Sequence, residues 1–490
     1  MKKRLSAAIS SVGLILGTSL FSPAGAQEID LYVDTVTKQV YTEPGKNRVK
    51  MGTFQQVQKG ANRQDKKSSD RQAQKKTDQP AQKDSVQQAR KDSSQQAQNE
   101  PGPAFVHEPL PERPKEEHWY DRMHIRGYTQ FRNSTTVSGD KDAVVYWPDR
   151  SVGEDTSFLI RRARLILYGD ITDNLYLYFQ PDFASTPSGS TTGNFGQLRD
   201  AYADISFDDK KEFRVRLGQS KIPFSFENMQ SSQNRLALDR ADGINTCCRD
   251  ERDIGAFFYW VPAEIRERFR ELVANNLKGS GDYGVFAFGV YNGQGANRVE
   301  LNNDMHMVAR VTYPYQFSNG QIFEAGVEAL HGRFVTSNGP VNGITPVMVA
   351  PAKGFVDERV AVHAVLYPQP FGLQAEWNWG RGPQLNGVQR LITESPLTGG
   401  YVQATYKYDS GPWGILFPFV KWQYYEGGQK FERNAPKNLV NDWELGVEWQ
   451  VTKAIELTAV YHMMNRTDVL NAPYERFRAD AVRFQVQWNY

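Results

Sequence analysis

The chain consists largely of segments in which apolar and polar residues alternate. The clearest segment is 482–490, where hydrophobic side chains occupy every second position and Arg483, Gln485, Gln487 and Asn489 lie between them. A repeat of two places these two sets on opposite faces of an extended strand. Because this period recurs along the chain, it predicts β-sheet with one apolar and one polar face.

Similar segments run from residue 123 to the end of the chain. The sixteen candidate strands are 123–133, 156–169, 174–183, 198–207, 212–219, 253–261, 283–291, 304–313, 321–331, 356–366, 371–380, 400–408, 415–425, 441–451, 454–464 and 480–490. Most have about ten residues, the length of a strand that crosses a bilayer at a tilt.

The connections between these segments alternate between long and short. Those after odd-numbered segments are long, such as 220–252, whereas those after even-numbered segments are mostly short, such as 452–453. This asymmetry is typical of outer-membrane barrels, in which both chain ends lie at the short-turn, periplasmic end. The predicted fold class is therefore all-β, a transmembrane antiparallel barrel of about sixteen strands that encloses an aqueous channel.

The first part of the chain differs from the barrel. Residues 1–26 combine a basic start, an uncharged apolar run and an A-x-A cleavage pattern, which predicts a signal peptide. Residues 27–118 are predicted to form a polar, largely disordered periplasmic extension, with strand character only between Ile29 and Tyr41. A solvated linker and a cell-wall-binding segment both remain open. The barrel is expected at 119–490.

One short connection breaks the alternation. The gap 262–282 should be a tight turn, yet 263–274 has the pattern of a short helix. Either a periplasmic turn carries a helical insert, or the strand count is wrong by one pair at this point.

The sequence contains no strong catalytic or metal-binding motif. H-E-x-x-H, C-x-x-C and G-x-S-x-G are absent, and the seven His are scattered. We therefore expect no enzyme, no cofactor and no metal, and with a net charge of only +2 no nucleic-acid partner. Cys247 and Cys248 are adjacent, a spacing that disfavours a disulfide between them. Chance neighbours or a tether within their loop are expected.

Arginine recurs on the polar face of the predicted strands. The residues expected to line the pore are Arg126, Arg132, Arg162, Arg164, Arg214, Arg216 and Arg483. Because strands 16, 1 and 2 are neighbours in a closed barrel, their arginines should form one basic wall, with acidic residues such as Asp200 and Asp204 on another. Guanidinium rows suit the transfer of anions from site to site. Alternatively, these charges only solvate the channel.

The third long connection is rich in cationic residues. It carries Lys221, Arg235, Arg240, Arg249 and Arg252. If this loop folds into the barrel, it forms the constriction of the pore. Alternatively, it is an exposed surface loop.

Four motifs in this region follow one another in order: 158–169 (FLIRRARLILYG), 216–227 (RLGQSKIPFSFE), 239–241 (DRA) and 252–255 (RDIG). With the terminal strand, they resemble the phosphate-selective porin O and P family over roughly 120–490. The resemblance implies a trimeric outer-membrane porin with an inward third loop and an arginine-lined path for phosphate or polyphosphate. The chain departs from the family in Asp239, where Glu is frequent, and in its Cys pair.

We therefore expect a porin of the bacterial outer membrane through which small anions, such as phosphate or polyphosphate, diffuse passively. A non-selective general porin and a barrel-anchored structural or cell-wall-binding protein are the alternatives. The expected partners are outer-membrane lipid, small anions, further copies of the chain in a homotrimer, and peptidoglycan through residues 27–118.

Overall fold

The chain forms two compact units, Met1–Glu112 and Arg113–Tyr490. The structure, a computed structural model, describes residues 28–34, 40–41, 43–55, 118–141, 146, 149, 151–152, 157–185, 193–248, 250, 252–347 and 351–490. The expected signal peptide and the polar segment 59–100 lie outside the described residues. The boundaries expected at residues 26 and 118 stay predictions.

The first unit contains a small antiparallel sheet. Its strands are Glu28–Asp34, Val40–Tyr41 and Arg48–Gln55, with the first strand in the middle. The first two strands coincide with the strand character between Ile29 and Tyr41. The third was not predicted.

The second unit is a closed barrel of sixteen antiparallel strands, in which each strand pairs with the next and the last pairs with the first. In chain order they are β1 (Met123–Gly139), β2 (Ser157–Thr172), β3 (Leu175–Ser185), β4 (Phe195–Ser206), β5 (Phe213–Lys221), β6 (Arg252–Trp260), β7 (Phe286–Tyr291), β8 (His306–Gln316), β9 (Ile322–Phe334), β10 (Phe355–Leu366), β11 (Phe371–Asn386), β12 (Leu391–Tyr406), β13 (Ile415–Gly428), β14 (Lys437–Gln450), β15 (Ile455–Thr467) and β16 (Arg476–Asn489). A two-residue strand, Tyr408–Asp409, also pairs with β13. All sixteen predicted strands are confirmed.

The two faces of the strands have the predicted environments. On β16 the Phe484 side chain is 53% exposed on the outer surface, whereas its neighbour Arg483 is fully buried inside. Outward residues meet lipid in the membrane, and the closed ring pairs the backbone groups that lipid cannot hydrogen-bond. The alternation therefore separates a lipid face from a polar lumen face.

In the part of the chain that the structure describes, three α-helices accompany the barrel: α1 (Phe226–Met229), α2 (Asp242–Asn245) and α3 (Ala263–Ala274). Single 3-10 turns lie at Trp119–Arg122 and Gly411–Trp413. Helix α3 occupies the anomalous short connection, so this turn carries a helical insert and the strand count is correct. Within the described ranges, no helix has the length and apolar character needed to cross a membrane.

The third long connection, residues 222–251 between β5 and β6, is called loop 3 below. It folds into the barrel, because the side chains of Phe224 and Phe226 are fully buried and Phe226 packs against the lumen-facing residue His363 of β10. The alternative of an exposed surface loop is therefore wrong. The lumen is filled by a loop from one end and, as described below, by a turn from the other.

Candidate solute path in the lumen

Loop 3 is held to the barrel wall by a buried cluster of charges. The Asp239 carboxylate of the loop accepts hydrogen bonds from Arg132 of β1 (3.0 Å) and Arg483 of β16 (2.6 Å). Asp149, from the connection between β1 and β2, binds the same two guanidinium groups. Burial alone would raise the pKa of Asp239, but the charges of Arg132 and Arg483 hold it below its usual range. We call Arg132 and Arg483 the carboxylate-bound arginines.

Other arginines predicted to line the pore also face the interior and bind carboxylates. These ion pairs are Arg164–Asp182 (2.8 Å), Arg214–Asp282 (2.6 Å), Arg216–Asp204 (2.7 Å) and, from the predicted constriction, Arg252–Asp200 (2.8 Å). The expected separation of a basic wall from an acidic one is wrong here, because Asp200 and Asp204 on β4 neutralise arginines on β6 and β5.

A second pair of arginines has a different environment. Arg162 of β2 is 3% exposed and its Nη1 donates to the side-chain carbonyl of Gln130 (2.7 Å). Arg235 of loop 3 is 6% exposed and donates to the main-chain carbonyls of Ala237 (3.0 Å) and Leu238 (3.1 Å). We call Arg162 and Arg235 the carbonyl-bound arginines.

Within the part of the chain that the structure describes, neither carbonyl-bound arginine forms an ion pair with a carboxylate. In the same residues, Arg162 Nε and Arg235 Nη1 are buried and have no hydrogen-bond acceptor. The two guanidinium groups are also close enough for their charges to repel each other. Buried charges in proteins are normally paired, so two buried guanidinium groups without a carboxylate among the described residues are unusual.

The remaining predicted residues lie around these arginines. Arg240 of loop 3 is buried, and burial together with the charge of Arg235 lowers its pKa. Lys221 at the end of β5 donates to the carbonyls of Met229 (2.9 Å) and Gln230 (2.7 Å) in loop 3. Arg249, the one remaining residue of the predicted constriction, lies outside the described residues. The described cationic residues of the predicted constriction, Lys221, Arg235, Arg240 and Arg252, thus face the lumen rather than the outer surface.

A cavity of about 440 Å³ lies between loop 3 and strands β1–β6. Arg126 borders it and donates to Gln233 of loop 3 (3.1 Å). Tyr178 and Tyr202 also line the cavity, and their rings stack on each other at a centroid distance of 5.1 Å. The cavity is therefore bordered by arginines and tyrosines, together with Asp200 and Asp282.

On the opposite wall of the barrel, the charged side chains are paired with one another. Arg310 of β8 binds Glu328 (2.9 Å) and Glu324 (3.2 Å) of β9, and His363 lies 2.7 Å from Glu328. Arg310 and His363 were not among the predicted site residues. Phe226 of loop 3 covers the cluster. These side chains therefore support the loop instead of lining open space.

Cys247 and Cys248 lie at the end of loop 3 and are joined as a disulfide, with a Cα–Cα distance of 3.8 Å. The prediction that adjacency disfavours this bond is not met. Both residues pack with Ile222 and Phe224, so the disulfide belongs to the apolar base of the loop. In the described ranges, no group of three or more His, Cys, Asp or Glu is arranged to hold a metal ion.

The closed barrel with a charged lumen defines a channel of the bacterial outer membrane. The family model for phosphate-selective porin O and P matches residues 139–490. The chain belongs to this family, and family and fold together indicate a channel rather than an enzyme.

Several solved structures are similar to this chain. They include the outer-membrane channel DcaP of Acinetobacter baumannii (13% identity, covering 75% of this chain and 97% of that chain, TM-score 0.47), OmpF of Salmonella typhi (13%, 75% and 97%, 0.48) and an anion-selective porin from Comamonas acidovorans (11%, 75% and 99%, 0.43). No curated protein matches the chain.

Proposed function

We propose that this channel conducts small anions, with phosphate or polyphosphate as the preferred class, past the carbonyl-bound arginines. The observation that carries the proposal is that Arg162 and Arg235 are buried with carbonyl rather than carboxylate partners among the described residues, and that each also keeps a buried donor without an acceptor there. A phosphate oxygen suits these donors because guanidinium groups bind oxyanions through short, charge-assisted hydrogen bonds.

The surrounding ion pairs support the same path. Where arginines are matched by carboxylates, as in Arg164–Asp182 and Arg216–Asp204, the wall is close to neutral. Among the described residues, Arg162 and Arg235 carry positive charge without a carboxylate partner. A local excess of guanidinium charge in a narrow, low-dielectric passage attracts anions and repels cations.

Planar-bilayer recording of the full chain in a KCl gradient tests the proposal. The wild-type reversal potential should show anion preference, and phosphate should compete with chloride. Arg162→Ala and Arg235→Ala should each weaken phosphate competition about tenfold, because one charge-assisted hydrogen bond contributes about 1.5–3 kcal/mol. Cation preference in the wild type would overturn the proposal, and a barrel without measurable conductance would favour the structural alternative.

A matched control is available on the outer surface. Arg381 of β11 is paired with Glu358 (2.6 Å), and its side chain is 50% exposed. Arg381→Ala removes the same charge from outside the lumen, so the reversal potential and the phosphate competition should stay at wild-type values. A change as large as that of Arg162→Ala would mean that net charge, rather than the carbonyl-bound arginines, determines selectivity.

We also propose that the channel assembles as a homotrimer, as the family resemblance implies. Its mass in mild detergent, measured by light scattering, should correspond to three chains, and a monomeric mass would contradict this. Contact with peptidoglycan through residues 27–118 stays a prediction, which co-sedimentation of the full chain with cell-wall sacculi tests.

A further inference from the structure

The connection between β6 and β7, residues 261–285, is called the turn insert. It lies at the short-turn end of the barrel, where the other connections are much shorter, such as 173–174 between β2 and β3 and 451–454 between β14 and β15. Length alone assigns it no role, but its contacts show where it goes.

The helix of the turn insert packs into the barrel. Ile265, Phe269 and Leu272 recur at helical spacing and form one buried face of α3. This face packs in one apolar cluster with Phe226 of loop 3 and Val365 of β10. The insert and loop 3 therefore meet inside the lumen, although they enter it from opposite ends.

The insert then crosses to the far wall. Lys278 Nζ lies 2.6 Å from Glu448 Oε1 of β14, and both side chains are buried. In the ring of sixteen strands, β14 is seven strands from β7 in one direction and eight from β6 in the other. This ion pair therefore links opposite sides of the barrel. Asn276 also bonds Gln450 of β14, and Gln230 of loop 3 donates to the Lys278 carbonyl (2.6 Å).

The insert also borders the space that remains. Val273, Ser280 and Tyr283 of the insert line the cavity of about 440 Å³, together with Arg126 of β1 and Arg216 of β5. The insert thus occupies part of the lumen cross-section and leaves a passage beside the arginine-bearing strands.

We propose that the turn insert is a second constriction, at the periplasmic end, which the Lys278–Glu448 ion pair holds across the lumen and which sets the size limit for solutes. The inference rests on channel activity and not on anion preference. A buried pair suits this role because removing one partner leaves the other charge buried and uncompensated. Loss of either side chain therefore weakens the attachment of the insert to the far wall, where Asn276 and Gln450 remain bonded.

Neutral solutes test the proposal independently of charge selectivity. Full-length Lys278→Met and Glu448→Gln variants are reconstituted in liposomes for swelling assays with neutral sugars of increasing size, and in planar bilayers for conductance. Both variants should admit larger sugars and raise single-channel conductance by roughly two- to fivefold, while the reversal potential keeps its sign. The charge swap Lys278→Glu with Glu448→Lys should recover part of the wild-type limit.

The matched control is Lys437→Met. Lys437 lies on β14, as Glu448 does, and forms an exposed pair with Glu426 of β13 (2.6 Å), so its loss should change neither the sugar size limit nor the single-channel conductance. Heat-modifiable migration on SDS gels identifies folded barrels before each assay. A further variant replaces residues 263–281 by a short Gly-Ser turn and should give the largest sugar limit. An unchanged sugar size limit in all folded variants of the insert would overturn the second constriction. If Arg162→Ala loses anion preference but keeps the wild-type sugar size limit, that result bears only on the proposed function.

Discussion

Two pairs of buried arginines inside the barrel bind different kinds of partner. The carboxylate-bound arginines, Arg132 and Arg483, share Asp149 and Asp239 and hold loop 3 in place. The carbonyl-bound arginines, Arg162 and Arg235, donate instead to amide and main-chain oxygens. Residue type and burial are the same in both pairs, so the pairs differ in their partners, and we propose that this difference separates support of the fold from binding of a solute.

This contrast changes how a charged lumen is interpreted. A list of inward arginines suggests a continuous anion path, but most of those predicted here are neutralised by a neighbouring aspartate. Among the described residues, the buried arginines Arg162 and Arg235 without a carboxylate partner lie where strand β2 faces loop 3. Selectivity should therefore depend on few residues, and stability of the loop on others.

The largest expected effect is on the carboxylate-bound arginines. Asp239→Ala leaves Arg132 and Arg483 with Asp149 as their remaining shared carboxylate, and loss of a buried partner costs about 3–5 kcal/mol. Urea unfolding in lipid vesicles should show this decrease, and single-channel traces should become noisier as loop 3 loosens. Glu358→Gln, which breaks the exposed pair with Arg381, should cost less than about 1 kcal/mol. An equal decrease in the free energy of unfolding of both variants would show that the buried cluster stabilises the protein no more than an exposed pair does.

Arg162→Met separates the two roles most directly. It removes a buried charge that has no carboxylate partner among the described residues, so the free energy of unfolding should stay constant or rise by up to about 1 kcal/mol. Anion conductance should fall in the same variant. Arg132→Met should instead lower the free energy of unfolding, and matching losses of stability in both variants would contradict the comparison.

Gln130→Glu should convert one kind of arginine into the other. The side-chain carbonyl of Gln130 accepts from Arg162, and a carboxylate at this position would neutralise the guanidinium group. Phosphate competition should weaken about threefold, less than for Arg162→Ala because the guanidinium group is still present. Competition titrations in planar bilayers measure this, and an unchanged titration would mean that phosphate does not bind at Arg162.

Arg126→Ala should have the smallest effect. Arg126 lies at the edge of the cavity, is half-buried and donates to Gln233, so solvent already screens much of its charge. Anion conductance should decrease by less than about twofold, with no change in the free energy of unfolding beyond about 0.5 kcal/mol. A decrease as large as that of Arg162→Ala would place the selective step in the cavity.

The strands and their faces followed from the sequence because period two is a local property. It placed Arg483 inside and Phe484 outside without knowledge of the fold. The pairing of Asp204 with Arg216 could also have been found, because these residues lie directly opposite each other on the adjacent strands β4 and β5. The charge pattern along a single strand does not show this pair, because its two members lie on different strands.

The contacts of the loops could not be found in this way. Asp149 and Asp239 lie in irregular connections, where no periodicity indicates the direction of a side chain. The Lys278–Glu448 pair crosses the lumen, so it depends on the course of the turn insert in three dimensions. The helix of the insert was predicted from its pattern, but the wall that it reaches was not.

The carboxylate of Asp239 also links loop 3 to the order of assembly. Arg132 belongs to the first barrel strand and Arg483 to the last, and these two strands form the seam at which the ring joins. Before the seam forms, Arg132 and Arg483 are not held side by side, so Asp239 cannot bind both of them. Loop 3 can therefore make its full set of contacts with β1 and β16 only after the ring closes. A barrel with an open seam would lack the constriction that the docked loop forms.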